Sequence, residues 1–385
     1  MDTFKKIFFY GTNSILYWLA NIIPKNKNIW IFGAWFGNKY SDNSRYLFEY
    51  INHNHPEIRA IWLTDNLDII SELKNKNYEV YKRYSIKSIL LGLRAKYSIF
   101  VQTNLADCMA FLNNKYTSNI QLWHGIPLKK IGTDDSLSVT TYKRSNLKEI
   151  VFPFLKIKYS LIISASTEDQ TNFSSSFKGQ YNLISITGYP RNDLLFRGKV
   201  SNDFIITYLP TFRDSIGDKI DLFSDYNFNV KAWNKKLLDL KIILNIKLHP
   251  VNKPKDEILV KFKDCQNINF LEEVDVAEVL PNTDILITDY SSVYFDFLLT
   301  DSPIIFAPFD YEKYITKDRE LYYNYDEVTP GPKCKDWNDV LAWIEKFKND
   351  PMLFLQERNM MKDKFHKYQD ENNSERVYLE IKKFN

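Results

Sequence analysis

Residues 284–309 read DILITDYSSVYFDFLLTDSPIIFAPF. Two almost continuously apolar runs, DILITD (284–289) and PIIFAPF (303–309), enclose a polar Asp-Tyr-Ser-Ser turn and an amphipathic stretch. Short apolar runs without polar alternation suit strands buried on both faces, and a helical crossover between two of them is the unit of a parallel sheet. The pattern continues outward. DFIITYLPT (203–211), IILNIKL (242–248) and INFLEE (268–273) complete one set, and NIWIFGA (28–34), AIWLT (60–64), YSIFVQT (97–103), NIQLW (119–123), SLIISAS (160–166) and NLISITG (182–188) form another. Amphipathic segments lie between most members, so the sequence predicts an α/β protein with two parallel sheets. The turn-rich stretch GYPRNDLLFRGKVSND (188–203) separates the sets. The expected domains are therefore 1–200 and 201–385, the second closing with helices from Asp336 onward.

At 385 residues, with 44% hydrophobic and 26% charged, the chain has the make-up of a globular protein of two or three domains and excludes a disordered or fibrous one. Its three cysteines, Cys108, Cys265 and Cys334, form no CxxC pair, which excludes a disulfide framework and a zinc site and leads us to expect the reducing cytosol. Residues 1–200 hold 26 Lys and Arg against 15 Asp and Glu, net +11, while the remainder holds 25 against 33, net −8. A basic first half implies an anionic partner: an acidic membrane leaflet or a phosphorylated substrate, since no nucleic-acid-binding signature accompanies it. The start, MDTFKKIFFYGTNSILYWLANIIPKNKN, has no small-residue cleavage site and is too polar for a spanning helix. Phe4, Ile7, Phe8, Ile15, Trp18, Leu19 and Ile22 fall near one helical face, with Lys5, Lys6, Lys25 and Lys27 at its ends, the pattern of a helix lying in a membrane interface. In a second such stretch, YKRYSIKSILLGLRAKYS, Ile86, Ile89, Leu90 and Leu93 are expected to pack on their own domain, the alternative being a contribution to the same membrane face.

Unusual residues cluster immediately after the apolar runs, in QLWHG, ITGYPRND, YLPTFRD, IKLHP and ITDYSS. Ligands of open α/β sheets bind at these carboxyl ends. Asp289, Ser291 and Ser292 end a strand and open a helix, an arrangement that either cradles a phosphate or merely caps the helix. His124, followed by the permissive Gly125, and His249, followed by Pro250, are candidate proton-transfer groups as well as candidate structural histidines. Arg191 and Arg213 suit phosphate capture or salt bridges to the nearby Asp193 and Asp214. No GxxxxGK[ST], GxGxxG, HExxH or GxSxG motif occurs, which argues against P-loop NTPases, dinucleotide-dependent dehydrogenases, zincins and α/β-hydrolases.

WHGIPLKKIG (123–132), TGYPRND (187–193), PTFRD (210–214), the isolated HP (249–250), ITDYSSVYFDF (287–297) and SPIIFAPFDYEKY (302–314), with FGAWFGNKYSDNSRYLFEY (32–50), resemble the CDP-glycerol glycerophosphotransferase family of teichoic acid primases and polymerases. The resemblance implies a GT-B-like pair of Rossmann-like domains facing across a cleft, peripherally attached to the cytoplasmic face of the cell membrane. It implies transfer of glycerol phosphate, or a related polyol phosphate, from CDP-glycerol to a hydroxyl of a lipid-linked glycan, with CMP released and no cofactor or metal. The compact length resembles the primase type. On this reading His124 is chosen as the general base, and the sequence leaves the same role open to His249. His249, Arg213, Ser291 and Ser292 hold the diphosphate, Thr288 and Asp289 shape that loop, and Arg191 and Glu272 lie near the nucleotide. Gly125 and Asn43 belong to the acceptor side. The rival expectations are a GT-B glycosyltransferase using a nucleotide-sugar and a non-catalytic scaffold of a polymer-synthesis complex.

Overall fold

The computed structural model describes residues 3–135, 146–211, 221–248, 260, 262–272, 274–317 and 320–384. Twelve strands are assigned among them. Seven form one all-parallel sheet: β1 (Asn26–Phe32), β2 (Arg59–Thr64), β3 (Val80–Lys82), β4 (Ala95–Phe100), β5 (Ser118–Gln121), β6 (Tyr159–Ser164) and β7 (Tyr181–Ile186), in the order β3-β2-β1-β4-β5-β6-β7. Five form the other: β8 (Phe204–Leu209), β9 (Ile242–Ile246), β10 (Ile268–Phe270), β11 (Ile285–Thr288) and β12 (Ile304–Phe306), in the order β10-β9-β8-β11-β12. All but β3 fall on the apolar runs. β3 pairs only with β2, at the sheet edge, and its three residues sit in a polar context with too little apolar surface to signal a strand.

The chain divides into two units. The first comprises residues 1–124, 132–193 and 370–385, the second 125–131 and 194–369. The crossing at Asp193 lies close to the expected boundary, whereas the last helix, Asn373–Lys382, belongs with the first unit. The reason is packing that sequence periodicity cannot reveal. Asp193 accepts hydrogen bonds from the Asn373 and Ser374 N–H groups (2.8 and 2.9 Å) and the Ser374 hydroxyl (2.5 Å), tying a carboxylate to the helix N-terminus. Tyr378 stacks on His55 at 3.7 Å between ring centroids.

Gly188 makes that docking possible. Its φ of +76° is left-handed, and a Cβ there would lie 1.8 Å from Asn373 Oδ1. Gly188→Ala is therefore expected to destabilise the first unit by about 3 kcal/mol, from a strained backbone plus overlap. Thermal denaturation checks the loss, and hydrogen exchange should localise it to Asn373–Lys382.

Aromatic residues build both cores. Trp30, Phe32, Phe48, Trp62 and Tyr97 are buried in the first unit, and Tyr208, Phe223, Phe228, Trp233 and Trp337 in the second. The indole N–H groups of Trp30 and Trp337 donate to the Lys27 and Leu222 carbonyls, so these two rings bury their area without stranding a donor. No disulfide is formed among the described residues.

Helix Thr3–Ile22 splits as its pattern predicts. Phe9 and Tyr10 pack on Phe154, and Tyr10 also on Phe152, while Ile7, Phe8, Ile15, Trp18, Leu19 and Ile22 are exposed. The Phe4 side chain lies outside the described residues. Helix Ile86–Arg94 departs from its expected fate: Leu91 and Leu93 are buried, but Ile86 is 81% exposed and Leu90 59%. Its apolar surface covers more than one face, and only one meets the domain.

Candidate active site

In each sheet the strand order reverses once, between β1 and β4 in the first unit and between β8 and β11 in the second. Loops leaving the carboxyl ends of such strand pairs diverge to opposite faces and open a crevice between them. Both crevices are bridged by a buried aspartate.

In the first unit that residue is Asp107, whose carboxylate accepts from the Phe36, Val101 and Gln102 N–H groups at 2.8, 3.1 and 2.7 Å. Burial nevertheless pushes its carboxyl up to about 6. Gly33 is compulsory beside it, since a Cβ would fall 2.2 Å from the Asp107 carbonyl oxygen. Above this junction His124 directs Nδ1 at the Val101 carbonyl, 3.3 Å away. A carbonyl only accepts, so the contact favours the tautomer with hydrogen on Nδ1 and a lone pair on Nε2. The Trp123 ring stacks on the imidazole at 4.3 Å and Trp35 flanks it at 5.6 Å. Burial holds the imidazole below its ordinary value, with Arg191 adding to the depression and Asp42 and the Val101 carbonyl opposing it. A neutral imidazole with a fixed tautomer is the form that accepts a proton near neutral pH.

The supporting backbone is unusual. Trp35, Phe36, Asp42 and Trp123 all have left-handed φ, between +46° and +65°. Non-glycine residues in this region persist only where surroundings over-determine them, and they concentrate at functional sites. Asn43 supplies part of that constraint: its Nδ2 donates to the Leu122 and Trp123 carbonyls (3.1 and 3.0 Å) and its Oδ1 accepts from the Arg191 N–H (3.2 Å). Arg191 itself donates to Asp42 at 2.8 Å. It does not pair with Asp193, whose carboxylate is engaged by the last helix.

In the second unit Asp289 occupies the corresponding junction. Its Oδ1 accepts from the Thr211 and Tyr290 N–H groups at 2.7 and 2.6 Å, joining the ends of β8 and β11. Thr288 Oγ1 donates to the Leu209 carbonyl at 2.7 Å across the same pair of strands. Tyr325 donates to the Asp289 carbonyl (3.0 Å) and Tyr290 to Asp310 (3.0 Å), while Tyr290 stacks on Tyr314 at 3.9 Å. Ser291 and Ser292 follow, both half-exposed. The α-helix they open, Val293–Phe297, has only five residues before it tightens into a 3-10 turn, so its dipole is small and the backbone N–H groups and hydroxyls are the main attraction for an anion. Ser292 stands at the cap position without making a side-chain capping bond. That weakens the purely structural explanation for a serine there.

His249 and Arg213 lie outside the described residues. Glu272 is exposed after β10, at the sheet edge, with its carbonyl held by Lys247 (2.6 Å). Gly125, with φ +123°, begins the segment 125–131 that belongs to the second unit, where the Tyr322 N–H donates to the Leu128 carbonyl and the Lys130 N–H to the Glu320 carbonyl, each at 2.9 Å. Sequence reading passed over Asp42, Trp35, Asp107, Tyr325 and Asp310 as site residues. The one available signal was that Trp35 and Asp42 fall inside FGAWFGNKYSDNSRY, a dense alternation of aromatic and turn residues.

With this geometry established, a family model described as CDP-glycerol:poly(glycerophosphate) glycerophosphotransferase matches residues 15–383. The chain is 30% identical over 363 residues to the teichoic acid poly(glycerol phosphate) polymerase of Bacillus spizizenii, covering 87% of this chain and 88% of that protein. It is 27% identical over 399 residues to the teichoic acid glycerol-phosphate transferase of Staphylococcus aureus, covering 98% of each. The solved structure of the wall teichoic acid polymerase TagF superposes with a TM-score of 0.76 at 22% identity, over 99% of this chain and 97% of that one, so the fold is GT-B-like.

Proposed function

Because the chain belongs to the CDP-glycerol glycerophosphotransferase family, we propose that it transfers glycerol phosphate from CDP-glycerol to a hydroxyl of a lipid-linked glycan at a membrane surface, in the manner of a primase of wall-polymer synthesis. The acceptor oxygen attacks the glycerol-bearing phosphorus in line; the new O–P bond forms as the bond from phosphorus to CMP breaks. The hydroxyl proton passes to Nε2 of His124, and CMP departs with the bonding electron pair. The single observation that carries this reading is His124, set against the Val101 carbonyl between the Trp123 and Trp35 rings at the strand-order reversal of its sheet.

In this mechanism the Ser291 and Ser292 hydroxyls and adjoining backbone N–H groups grip the diphosphate, Thr288 and Asp289 keep that loop in shape, and His249 and Arg213 are assigned to the same diphosphate from their sequence motifs alone. Preorganised donors of this kind stabilise charge that develops on the leaving phosphate. Arg191 is left out of the donor site because Asp42 already answers its charge, and Glu272 because it stands exposed beyond the edge strand. Asn43 and Gly125 serve the acceptor side by shaping the backbone around His124.

The test is incubation with CDP-glycerol, CDP-ribitol and nucleotide-sugars together with lipid-linked acceptors, the products resolved by mass. CMP and a phosphodiester are expected from CDP-glycerol. A nucleoside diphosphate and a glycoside would identify a glycosyltransferase instead.

No helix among the described residues is long and apolar enough to cross a membrane. The exposed apolar residues of Thr3–Ile22, joined by Ile86 and Leu90, with the surrounding lysines, support peripheral attachment to anionic lipid. Replacing Trp18 and Ile22 with Ser is expected to lower binding to phosphatidylglycerol vesicles about tenfold or more, since each buried methylene contributes roughly 0.8 kcal/mol. Co-sedimentation measures it, and unchanged binding would reject this face.

A further inference from the structure

We propose that Asp42 is a positioning residue for the transfer reaction, clamping His124 by holding the Trp35 ring beside the imidazole. The proposal rests on the reading of His124 as the base.

Hydrogen bonds from Trp35, Asn43 and Arg191 converge on Asp42, which is 5% exposed. Its Oδ2 accepts from Trp35 Nε1 at 3.2 Å, and its Oδ1 accepts from the Asn43 N–H and from Arg191 Nη1, each at 2.8 Å. Its charge also opposes the depression of the His124 imidazole. The Trp35 indole so held lies 5.6 Å from the imidazole, on which Trp123 also stacks, and Asn43 fixes the Trp123 carbonyl. The imidazole is thus bounded by two rings, each anchored through one of two consecutive residues of a single helix start. Left-handed φ at Trp35, Asp42 and Trp123 shows that the chain accepts backbone strain at all three corners of this clamp.

A core helix start needs none of this. Asp42 as a helix-stabilising acid would face solvent or the first-turn N–H groups alone. Here its carboxylate also accepts from the Trp35 indole and the Arg191 guanidinium. The charged groups that act on the imidazole are Asp42, from helix Asp42–Asn54, and Arg191, from the loop after β7; the loop after β4 presents the Val101 carbonyl, whose own N–H is held by Asp107. Proton uptake places a positive charge on His124 midway through the reaction. With Arg191 close by, a compensating carboxylate is what lets that charge form, much as an oriented carboxylate does in a catalytic triad.

Asp42→Asn tests the charge. Asparagine adopts left-handed φ readily and retains an oxygen for Trp35, so the fold is expected to persist. Turnover should fall about 10-fold or more with donor KM within a factor of about two, the pattern of an interaction made only in the transition state. The titration of His124, followed by 15N NMR of the labelled histidines, should move further down because the opposing charge is gone. Trp35→Phe keeps the ring and removes the tether; it should lower turnover without moving that titration.

An Asp42→Asn protein whose His124 titration is unmoved overturns the proposal. A titration that moves while turnover stays at the wild-type level also overturns it, whereas near-wild-type turnover of His124→Ala rejects the base reading on which it rests. If Asp42→Asn does not fold, the Trp35→Phe arm decides: wild-type turnover there sinks the clamp.

Discussion

His124→Ala is expected to slow glycerophosphate transfer by about 10²–10⁴-fold, the usual contribution of a positioned general base, while CDP-glycerol binding changes by no more than about twofold. The asymmetry is the informative part. His124 sits in the first unit, supported by Trp123, Trp35 and the Val101 carbonyl, and its side chain forms no part of the second-unit loop that carries Ser291. Isothermal titration with CDP-glycerol separates binding from turnover. Near-wild-type turnover would remove the base assignment.

The pH dependence carries a sign. Burial lowers the imidazole of His124 below 6.5, so it is already deprotonated at neutrality and the rate should be flat from pH 7 upward. On acidification kcat/KM should fall with a midpoint under the ordinary imidazole value. Stability follows the same direction. His124 and the buried His366 both resist protonation in the folded state, so below the unfolded value of 6.5 the unfolded chain takes up protons that the folded one refuses. Their contribution is neutral above that pH and destabilising as pH falls through it. A wild-type acid limb centred well above 6.5 would contradict the burial argument.

Asp289→Ala is expected to be the most damaging change in the second unit. It leaves the Thr211 and Tyr290 N–H groups without their carboxylate, and two buried unsatisfied donors cost about 2–6 kcal/mol. The end of β8 would part from the end of β11, and with it the loop presenting Ser291 and Ser292. CDP-glycerol affinity should fall by about 10²-fold or more at temperatures where the chain stays folded. Asp289→Asn, which keeps one acceptor oxygen, should retain most of the stability. Differential scanning calorimetry and donor titration measure the two effects; intact donor binding by a folded Asp289→Ala protein would detach this junction from the donor site.

The two sheets were legible before any coordinates because strands buried on both faces must be apolar at nearly every position, and DILITD or NIWIFGA state that locally. The candidate loops were legible for a related reason. Polar and conformationally special residues cannot enter such strands, so His124, Asp289, Ser291 and Ser292 stand out at their ends. The motifs also sufficed to identify the family that the comparisons established.

Other features depend on partners distant along the chain. Arg191 reads as the neighbour of Asp193, two residues on, yet it pairs with Asp42, 149 residues away, because the loop after β7 passes the start of helix Asp42–Asn54. The last helix reads as part of the second half and belongs to the first unit, through Asp193, Gly188 and His55. The electrostatics of His124 needed coordinates for the same reason, since its flanking tryptophans and Asp42 come from separate segments. The sequence by itself determined every described strand but β3, the family and the candidate loops, because burial and turn preference act residue by residue. Only the tertiary structure decided which charges meet and which imidazole stays neutral, because those depend on distances of a few ångströms between residues that the chain order keeps apart.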